Sequence, residues 1–288
     1  MTDVALTVIL PVFNMARTLG EQLDALCRQT WSQPWEVLVV DNDSSDGSRE
    51  LALSYLSREE SIRVISAPVV HNLSYVRNVG VRQARGRAVA FCDGDDVVGE
   101  GWVAAMGQAL REHALVGCRF EYGRLNSPQV LATHRPTFQS EGLAQVFGLP
   151  VVAGAGGCQR WLWERLGGND VHMDCGEDFD FSLRASKECG VIPYFARDAV
   201  YHVRLRGTAA WMFRQWRRIG RIYPLLFRRH APPQTHRRTI PEALLAYGWL
   251  VKNVWMLTSD QARMKWLHHA GKNLGRLEGS LRFRTPYL

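Results

Sequence analysis

The sequence contains no run of 18 apolar residues. The nearest approach, Leu244 to Met256, is broken by Lys252 and Asn253, so no membrane-spanning helix is expected. No basic n-region precedes the first apolar run, Ala5 to Leu10, and no signal peptide is expected. Six cysteines (Cys27, Cys92, Cys118, Cys158, Cys175 and Cys189) form no C-x-x-C pair and no metal-ligand spacing. They read as reduced packing residues of a cytoplasmic protein, which argues against a disulfide scaffold or a thiolate metal centre. Internal repeats are also missing. What remains is a 288-residue chain, 46% hydrophobic and 22% charged, long enough for one large folded domain and part of another.

Acidic residues are scarce in one region only. Residues 1–196 carry 17 basic and 24 acidic side chains, whereas residues 197–238 carry eleven arginines against Asp198 alone. Residues 239–288 add seven basic against three acidic side chains. An acidic body with a basic tail predicts two parts with different work, which we place at residues 1–205 and 206–288.

Short apolar runs alternate with helical spacing through the body. Strands are expected at 5–10 (stopped by Pro11), 35–40, 62–66, 88–92, 115–122 and 194–203. Helices are expected over 16–29, from Asp46 through Leu56, and over 74–84, 102–111, 160–166 and 176–188. This alternation predicts β-α-β units and a largely parallel sheet. Residues 123–158, rich in Gly, Pro, Ser and Gln, read as loops with one short helix. From Thr208 the chain reads as helical, with a Pro-Pro linker at 232–233 and helices over 241–257 and 260–280.

The most informative run is Arg87-Ala-Val-Ala-Phe-Cys-Asp-Gly-Asp-Asp96, an apolar strand that ends in three carboxylates. Such a cluster repels itself unless a cation sits among the acids. In an open α/β sheet, the carboxyl end of a strand is where ligands bind. A divalent ion bridging carboxylate and phosphate oxygens explains the run; an acidic turn capping the helix near Gly101 is the plain alternative. Pro11-Val-Phe-Asn14, Asp41-Asn42, Arg77-Asn78-x-Gly80 and Glu177-Asp178 each have an equally plain structural reading as turn, helix face or helix cap. Their order and spacing together are far more specific than any one of them.

In that order the motifs resemble glycosyltransferase family 2, over about residues 5–205. The resemblance implies the GT-A fold, an α/β Rossmann-like mixed sheet flanked by helices, here followed by a C-terminal helical extension. It also implies that Pro11, Phe13 and Asn14 line a nucleotide pocket, with Phe13 able to stack on the base, and that Asp41 and Asn42 contact base and ribose. Asn42 stands where many members have a second carboxylate, so the nucleobase stays open. By the same resemblance Arg77 lies near the diphosphate, Asp93 on the ribose side and Asp95 on a divalent metal, Mg²⁺ or Mn²⁺. Asp178 falls at the general-base position, at a helix N-terminus where backbone N–H groups are expected to hold it ionised. Glu177 falls among the nucleotide-sugar-binding residues, although it could instead hold an acceptor hydroxyl. His202 matches a metal ligand of some members, the alternative being a structural imidazole. Residues 154–157 and 160–174 would form the acceptor side.

The activity so implied is inverting transfer of a sugar from a nucleoside-diphosphate sugar to an acceptor hydroxyl. That hydroxyl would belong to a carbohydrate, a lipid-linked molecule or a small molecule, as in cell-envelope polysaccharide, glycolipid or another glycoconjugate. A non-catalytic nucleotide-sugar binder and a sugar-phosphate nucleotidyltransferase are the rivals. The latter is expected to carry a Gly-rich basic loop where this chain has Pro-Val-Phe-Asn. Residues 204–238 interleave aromatics with arginines, which suits an anionic membrane surface at the inner face of the cell membrane, or packing on the acidic body. No nucleic-acid-binding motif accompanies the charge, so nucleic acid is not expected as a partner. Donor sugar, linkage and oligomeric state are not written in the sequence.

Overall fold

The structure, a computed structural model, describes residues 3–134, 138–236 and 239–287. Its first strand, β1 (Leu6–Val12), divides the core in two. Leu6, Val8, Leu10 and Val12 enter one buried cluster and Ile9 another, because successive side chains of a strand face opposite ways. Helix α1 (Leu19–Cys27), strand β2 (Trp35–Asp41), helix α2 (Ser48–Ser54), strand β3 (Ile62–Ser66), helix α3 (Leu73–Gln83) and strand β4 (Ala88–Phe91) follow. After them come β5 (Val97–Val98), α4 (Trp102–Glu112), β6 (Leu115–Glu121), α5 (Pro128–His134) and the hairpin of β7 (Ala144–Val146) with β8 (Leu149–Val151). Strand β9 (Gly156–Gln159), α6 (Arg160–Leu166), α7 (Glu177–Cys189) and β10 (Tyr194–His202) complete the body. The tail holds α8 (Ala209–His230), α9 (Ile240–Lys252), a 3-10 turn (Val254–Thr258) and α10 (Asp260–Arg282).

Contacts divide the chain into two compact units, Met1–Leu125 with Thr137–Arg204, and Asn126–Pro136 with Leu205–Leu288. In the first, eight strands form one sheet in the order β3-β2-β1-β4-β9-β6-β10-β5. Residues of α1, α2 and α4 fill the core on one face, and residues of α3, α6 and α7 fill it on the other. Strands β1 to β4 are mutually parallel, with β2 and β3 to one side of β1 and β4 to the other. The chain therefore changes direction of travel between β1 and β4, and the crevice beyond their carboxyl ends is the place such a sheet offers a ligand.

Several boundaries differ from the sequence expectation for identifiable reasons. Strand β1 runs through Pro11 to Val12 instead of stopping at Pro11. Ile9 is the last residue of β1 paired with β4, so the N–H that Pro11 lacks falls where the ladder has already ended. Helix α1 starts at Leu19, not Ala16, because the N–H groups of Met15 and Ala16 donate across to Ser48 Oγ (2.7 Å) and Asp46 Oδ2 (2.9 Å). Helix α2 is only Ser48–Ser54, preceded by Gly47 at φ +88°. The helix expected over 241–257 ends at Lys252 and passes into the 3-10 turn.

Residues 123–158 are not simply loop. Gly156–Gln159 form β9, antiparallel to both β4 and β6 in the middle of the sheet. Glycine has low strand propensity and so hid this strand. It is required there, since a Cβ on Gly157 would lie 2.6 Å from the Val89 carbonyl oxygen.

In the second unit α10 lies along α8 in the same direction. Gly271, Gly275 and Gly279 let the backbones meet, because a Cβ at each would run into the carbonyls of Phe213, Arg217 and Arg221. Arg217 pairs with Glu278, and Arg228 Nη1 donates to the Phe283 carbonyl at 2.7 Å. Among the described residues no helix is long and apolar enough to cross a membrane.

Gly80 is the close-packing point of α3 on the sheet; a Cβ there would lie 2.7 Å from Ile9 Cγ2 and 3.2 Å from Val40 Cγ2. Gly80→Val should therefore lower stability by about 1–3 kcal/mol through overpacking, read as a shift in the urea midpoint. An unchanged midpoint would show that α3 can lift off the sheet freely.

Candidate active site

The acidic turn after β4 is held from three sides. Gln22 of α1 clamps both of its ends, donating through Nε2 to the Asp93 carbonyl (3.1 Å) and accepting from Val98 N–H through Oε1 (2.9 Å). Thr18 Oγ1 donates to the Gly94 carbonyl at 2.9 Å. From β10, the Tyr201 hydroxyl accepts the Asp93 N–H at 2.7 Å. Arg204 closes the other side, donating its N–H to Asp96 Oδ1 (2.7 Å) and its Nε to the Asp95 carbonyl (2.9 Å). Burial drives the carboxyl of Asp96 well above the usual carboxylate range, and the charges of Asp93 and Asp95 add to it. Asp93 is raised too, by burial first and by Asp95 and Glu177 next, although Arg77 opposes them.

Beside this turn, the segment after β1 is laced to the loop after β2. Asn14, at φ +53°, accepts from Ser45 N–H through its side chain (2.9 Å) and donates its N–H to Ser44 Oγ (3.1 Å). Buried Asp41 accepts from Ser44 N–H and lies 3.8 Å from Arg49 Nη1. Asn42 directs both hydrogens of its amide to the carbonyls of Ala67 (2.5 Å) and Val70 (2.9 Å), so its donors hold the loop after β3. Phe13 is exposed, its ring 4.9 Å from that of His71. Pro11 itself is buried within β1.

Arg77 and the acids of α7 form the third part. The guanidinium is buried against the Phe91 ring and donates to Glu177 Oε1 (3.1 Å) and Asp93 Oδ1 (3.3 Å). Burial alone would lower its pKa; Asp93, Glu177 and Asp178, with Tyr201, together outweigh burial and raise it. Asp178 accepts from Gly154 N–H through Oδ2 (2.7 Å) and from Phe179 N–H through Oδ1 (2.8 Å). Backbone N–H groups do favour the ionised form of Asp178, as its place at the start of α7 leads one to expect, but they do not act alone. Those bonds do lower its pKa, but burial outweighs them and the net shift is upward. Arg77 and Asp178 line one cavity of about 40 Å³, with Gly154, Asn169 and Ser182. Asp180 pairs with Arg184 one turn on, at 2.8 Å, as its spacing suggests. Arg184 also donates to the carbonyls of Leu166 and Gly168, fixing the loop after α6.

The structure thus gathers Arg77, Asp93, Glu177 and Asp178, and keeps Phe13, Asn14, Asp41 and Asn42 at the neighbouring strand ends. His202 stands apart in its bonding. It pairs with Val97 across β5 and β10, with Nδ1 2.7 Å from Glu121 Oε2 and Nε2 3.2 Å from Arg124 Nη1. Arginine only donates, so Nε2 accepts and Nδ1–H is left to donate to Glu121. No group of three or more His, Cys, Asp or Glu side chains able to hold a metal occurs among the described residues. Sequence reasoning overlooked Tyr201, Gln22 and Arg204 as supports of the acidic turn. Arg204 was counted with the basic tail, although its place two residues beyond His202 at the end of a strand pointed to the same sheet edge.

The acids and the buried arginine thus lie at the carboxyl edge of an α/β sheet, where open sheets of this kind take their ligands. The profile of Glycosyl transferase family 2 matches residues 7–162, and the chain belongs to that family. It is 38% identical over 120 residues to "Uncharacterized glycosyltransferase EpsJ" of Bacillus subtilis, covering 40% of this chain and 33% of that protein. It is 31% identical over 104 residues to "UDP-Glc:alpha-D-GlcNAc-diphosphoundecaprenol beta-1,3-glucosyltransferase WfgD" of Escherichia coli, covering 36% and 38%. The chain spans about a third of the length of each of these two relatives. Among solved structures it is similar to the mannosyltransferase PcManGT of Pyrobaculum calidifontis in complex with GDP-Man and Mn²⁺, with a TM-score of 0.67, 19% identity, and 97% and 90% of the two chains covered. Residues 1–349 of TarS from S. aureus in complex with UDP-GlcNAc give a TM-score of 0.59 at 17% identity, with 99% and 93% covered. The fold is the GT-A fold expected from the motifs.

Arg77→Met keeps the bulk but leaves Asp93 and Glu177 without their shared cation. Loss of one partner from such a network should destabilise the fold by about 3 kcal/mol or more in chemical denaturation. A loss below about 1 kcal/mol would mean that solvent already screens these carboxylates.

Proposed function

We propose that this chain is an inverting glycosyltransferase that moves a sugar from a nucleoside-diphosphate sugar to an acceptor hydroxyl. The observation that carries the reading is Asp178, held by two backbone N–H groups beside Arg77 at a shared cavity, with its carboxyl shifted upward. A base needs a fixed position and a pKa moved toward neutrality, and Asp178 has both. The acceptor hydroxyl gives its proton to Asp178 as its oxygen bonds to the anomeric carbon. The bond from that carbon to the diphosphate breaks, and the electron pair leaves with the diphosphate. One base and one displacement give inversion. Arg77 holds Asp93 and Glu177 in register, with Asp93 on the ribose side; Phe13, with Pro11, Asn14, Asp41 and Asn42, frames the nucleoside.

The donor set after β4 is all carboxylate oxygen, which fits a hard divalent ion, Mg²⁺ or Mn²⁺, held by one or two carboxylates plus phosphate oxygens. Asp95 would hold it, with His202 able to join if Arg124 releases Nε2. When bound, such an ion neutralises charge that develops on the leaving diphosphate. The neighbour solved with GDP-Man and Mn²⁺ supports this part of the reading. A relative named for a diphosphoundecaprenol-linked acceptor supports a lipid-linked acceptor in cell-envelope synthesis, received by residues 154–157 and 160–174. Residues 1–205 would then be the catalytic domain and 206–288 a basic helical extension. The stretch 204–238, whose Arg237 and Arg238 lie outside the described residues, would meet anionic lipid at the cytoplasmic face of the membrane.

Two measurements test the chemistry. Asp178→Asn should bind nucleotide sugar about as wild type does, while single-turnover transfer falls by about 10²–10⁴-fold. In the wild type the base works only when ionised, so transfer should rise with pH through a pKa above the ordinary aspartate range. That acid limb should vanish in Asp178→Asn; near-wild-type transfer by this variant, with loss in Glu177→Gln instead, would move the base by one residue. Separately, binding of a nucleoside diphosphate should strengthen with Mn²⁺ over EDTA in the wild type, and Asp95→Asn should abolish the difference. Equal affinities in Mn²⁺ and EDTA for the wild type would remove the metal from the reading.

A further inference from the structure

Helix α9 has two unlike faces. One packs on α10: Ala243 and Leu250 are buried, the Tyr247 hydroxyl donates to the Asn273 carbonyl, and Trp266 Nε1 donates to the Leu250 carbonyl. The other carries Ile240, Leu244, Gly248 and Val251, spaced 4, 8 and 11 residues along, which places them in one narrow arc of the helix. Val254 and Trp255 continue the apolar surface in the 3-10 turn, and Leu245 flanks it. Ile240, Leu244, Leu245, Val251 and Trp255 are each 62% to 76% exposed. Scattered exposed leucines need no explanation, but a contiguous apolar face on a capped helix does. The helix is well begun, with Pro241 in its first turn and a reciprocal Thr239–Glu242 capping box, so the exposed face is not an artefact of a fraying end.

We propose that this face of α9 and its 3-10 turn is an in-plane membrane element that inserts into the headgroup–acyl boundary of an anionic bilayer. The proposal deepens the membrane part of the function proposed above and rests on it. Charge selects the occupant. Residues 205–288 carry sixteen basic against three acidic side chains, an excess of thirteen positive charges. A second copy seated on this face would bring two such surfaces together and repel, whereas an anionic lipid surface attracts them. Trp255 suits the boundary, with an apolar body and one polar N–H, and Lys252 can lay its stem along the apolar surface while its ammonium reaches phosphate. The helix is too short to span and has the length and one-sided exposure of an element that lies flat.

The test uses the full chain and sedimentation with vesicles of phosphatidylcholine alone or mixed with phosphatidylglycerol, at low and high salt. The wild type should bind the anionic vesicles and keep a salt-resistant fraction, since insertion of apolar side chains is not screened as charge attraction is. Combining Leu244→Gln, Val251→Gln and Trp255→Gln should lower the partition coefficient about 10-fold or more and remove the salt-resistant fraction. Its melting temperature and nucleoside-diphosphate affinity should stay unchanged. With brominated lipid, the quenching of wild-type fluorescence should shrink in Trp255→Phe, which reports insertion without relying on the triple variant. If the triple variant binds like the wild type, the arginines alone hold the membrane and the present proposal fails while the basic-stretch reading stands. If the wild type ignores anionic vesicles, both fail. A wild-type dimer that becomes a monomer in the triple variant would assign the face to self-association instead.

Discussion

A guanidinium shared by two carboxylates ties together parts of the body that are far apart in sequence. Arg77 comes from α3, Asp93 from the turn after β4, and Glu177 from the start of α7. None of the three is comfortable alone. A buried cation without partners and buried carboxylates without a cation each carry a desolvation penalty of several kcal/mol, so the network exists whole or is strongly unfavourable. Because Gly80 sets how closely α3 lies on β1, and Glu177 is adjacent to Asp178, the same constraint fixes where Asp178 stands relative to the acidic turn.

Arg77 and Arg204 do not balance the acids of this edge. Asp93, Asp96 and Asp178 all have carboxyls shifted upward, by burial first, with neighbouring acids adding to the shift at Asp93 and Asp96. An isolated diphosphate would meet mostly like charge here, whereas a diphosphate accompanied by a divalent cation would bring the missing positive charge. That electrostatic deficit, more than the presence of any single aspartate, favours a metal-assisted reading of the acidic turn.

Much of the body was legible because its strands are short apolar runs ending in turn chemistry. Ile62–Ser66 and Arg160–Leu166 match their expected limits. What escaped did so for physical reasons. Half of strand β9 is Gly156 and Gly157, where a Cβ would meet neighbouring backbone, so the signal that marks a strand was weakened by the packing that makes it. β5 has only two residues, too few for any periodicity. At the site, the motif acids were readable because clustered charge is conspicuous. The groups that aim them were not: Gln22 looks like any helix glutamine, and Tyr201 like any strand tyrosine, until the fold brings both to the turn after β4. Burial likewise has no sequence signature, which is why the upward shift of Asp178 ran against the expectation from its helix position.

The tail shows why charge alone could not decide its use. Some of its arginines serve packing within their own unit: Arg217 pairs with Glu278, Arg228 reaches the Phe283 carbonyl, and Arg276 lies over the rings of Tyr223 and Tyr287. Arg217 and Arg228 are nonetheless exposed, as are Arg214, Arg218 and Arg229. The two uses are compatible, because a stem that packs against a ring still leaves a cation near the surface. Exposed arginines act at a distance, within about a Debye length of ~8–10 Å at ordinary salt, and are weakened by it. An apolar face acts only on contact and is indifferent to salt. If the acceptor is lipid-linked, as proposed above, the protein would benefit from both ranges: attraction to concentrate it at the surface, and insertion to restrict its orientation once there. On that argument the exposed face of α9 is the more informative feature of the tail, since its apolar side chains are largely exposed while several of the arginines are held by their own unit.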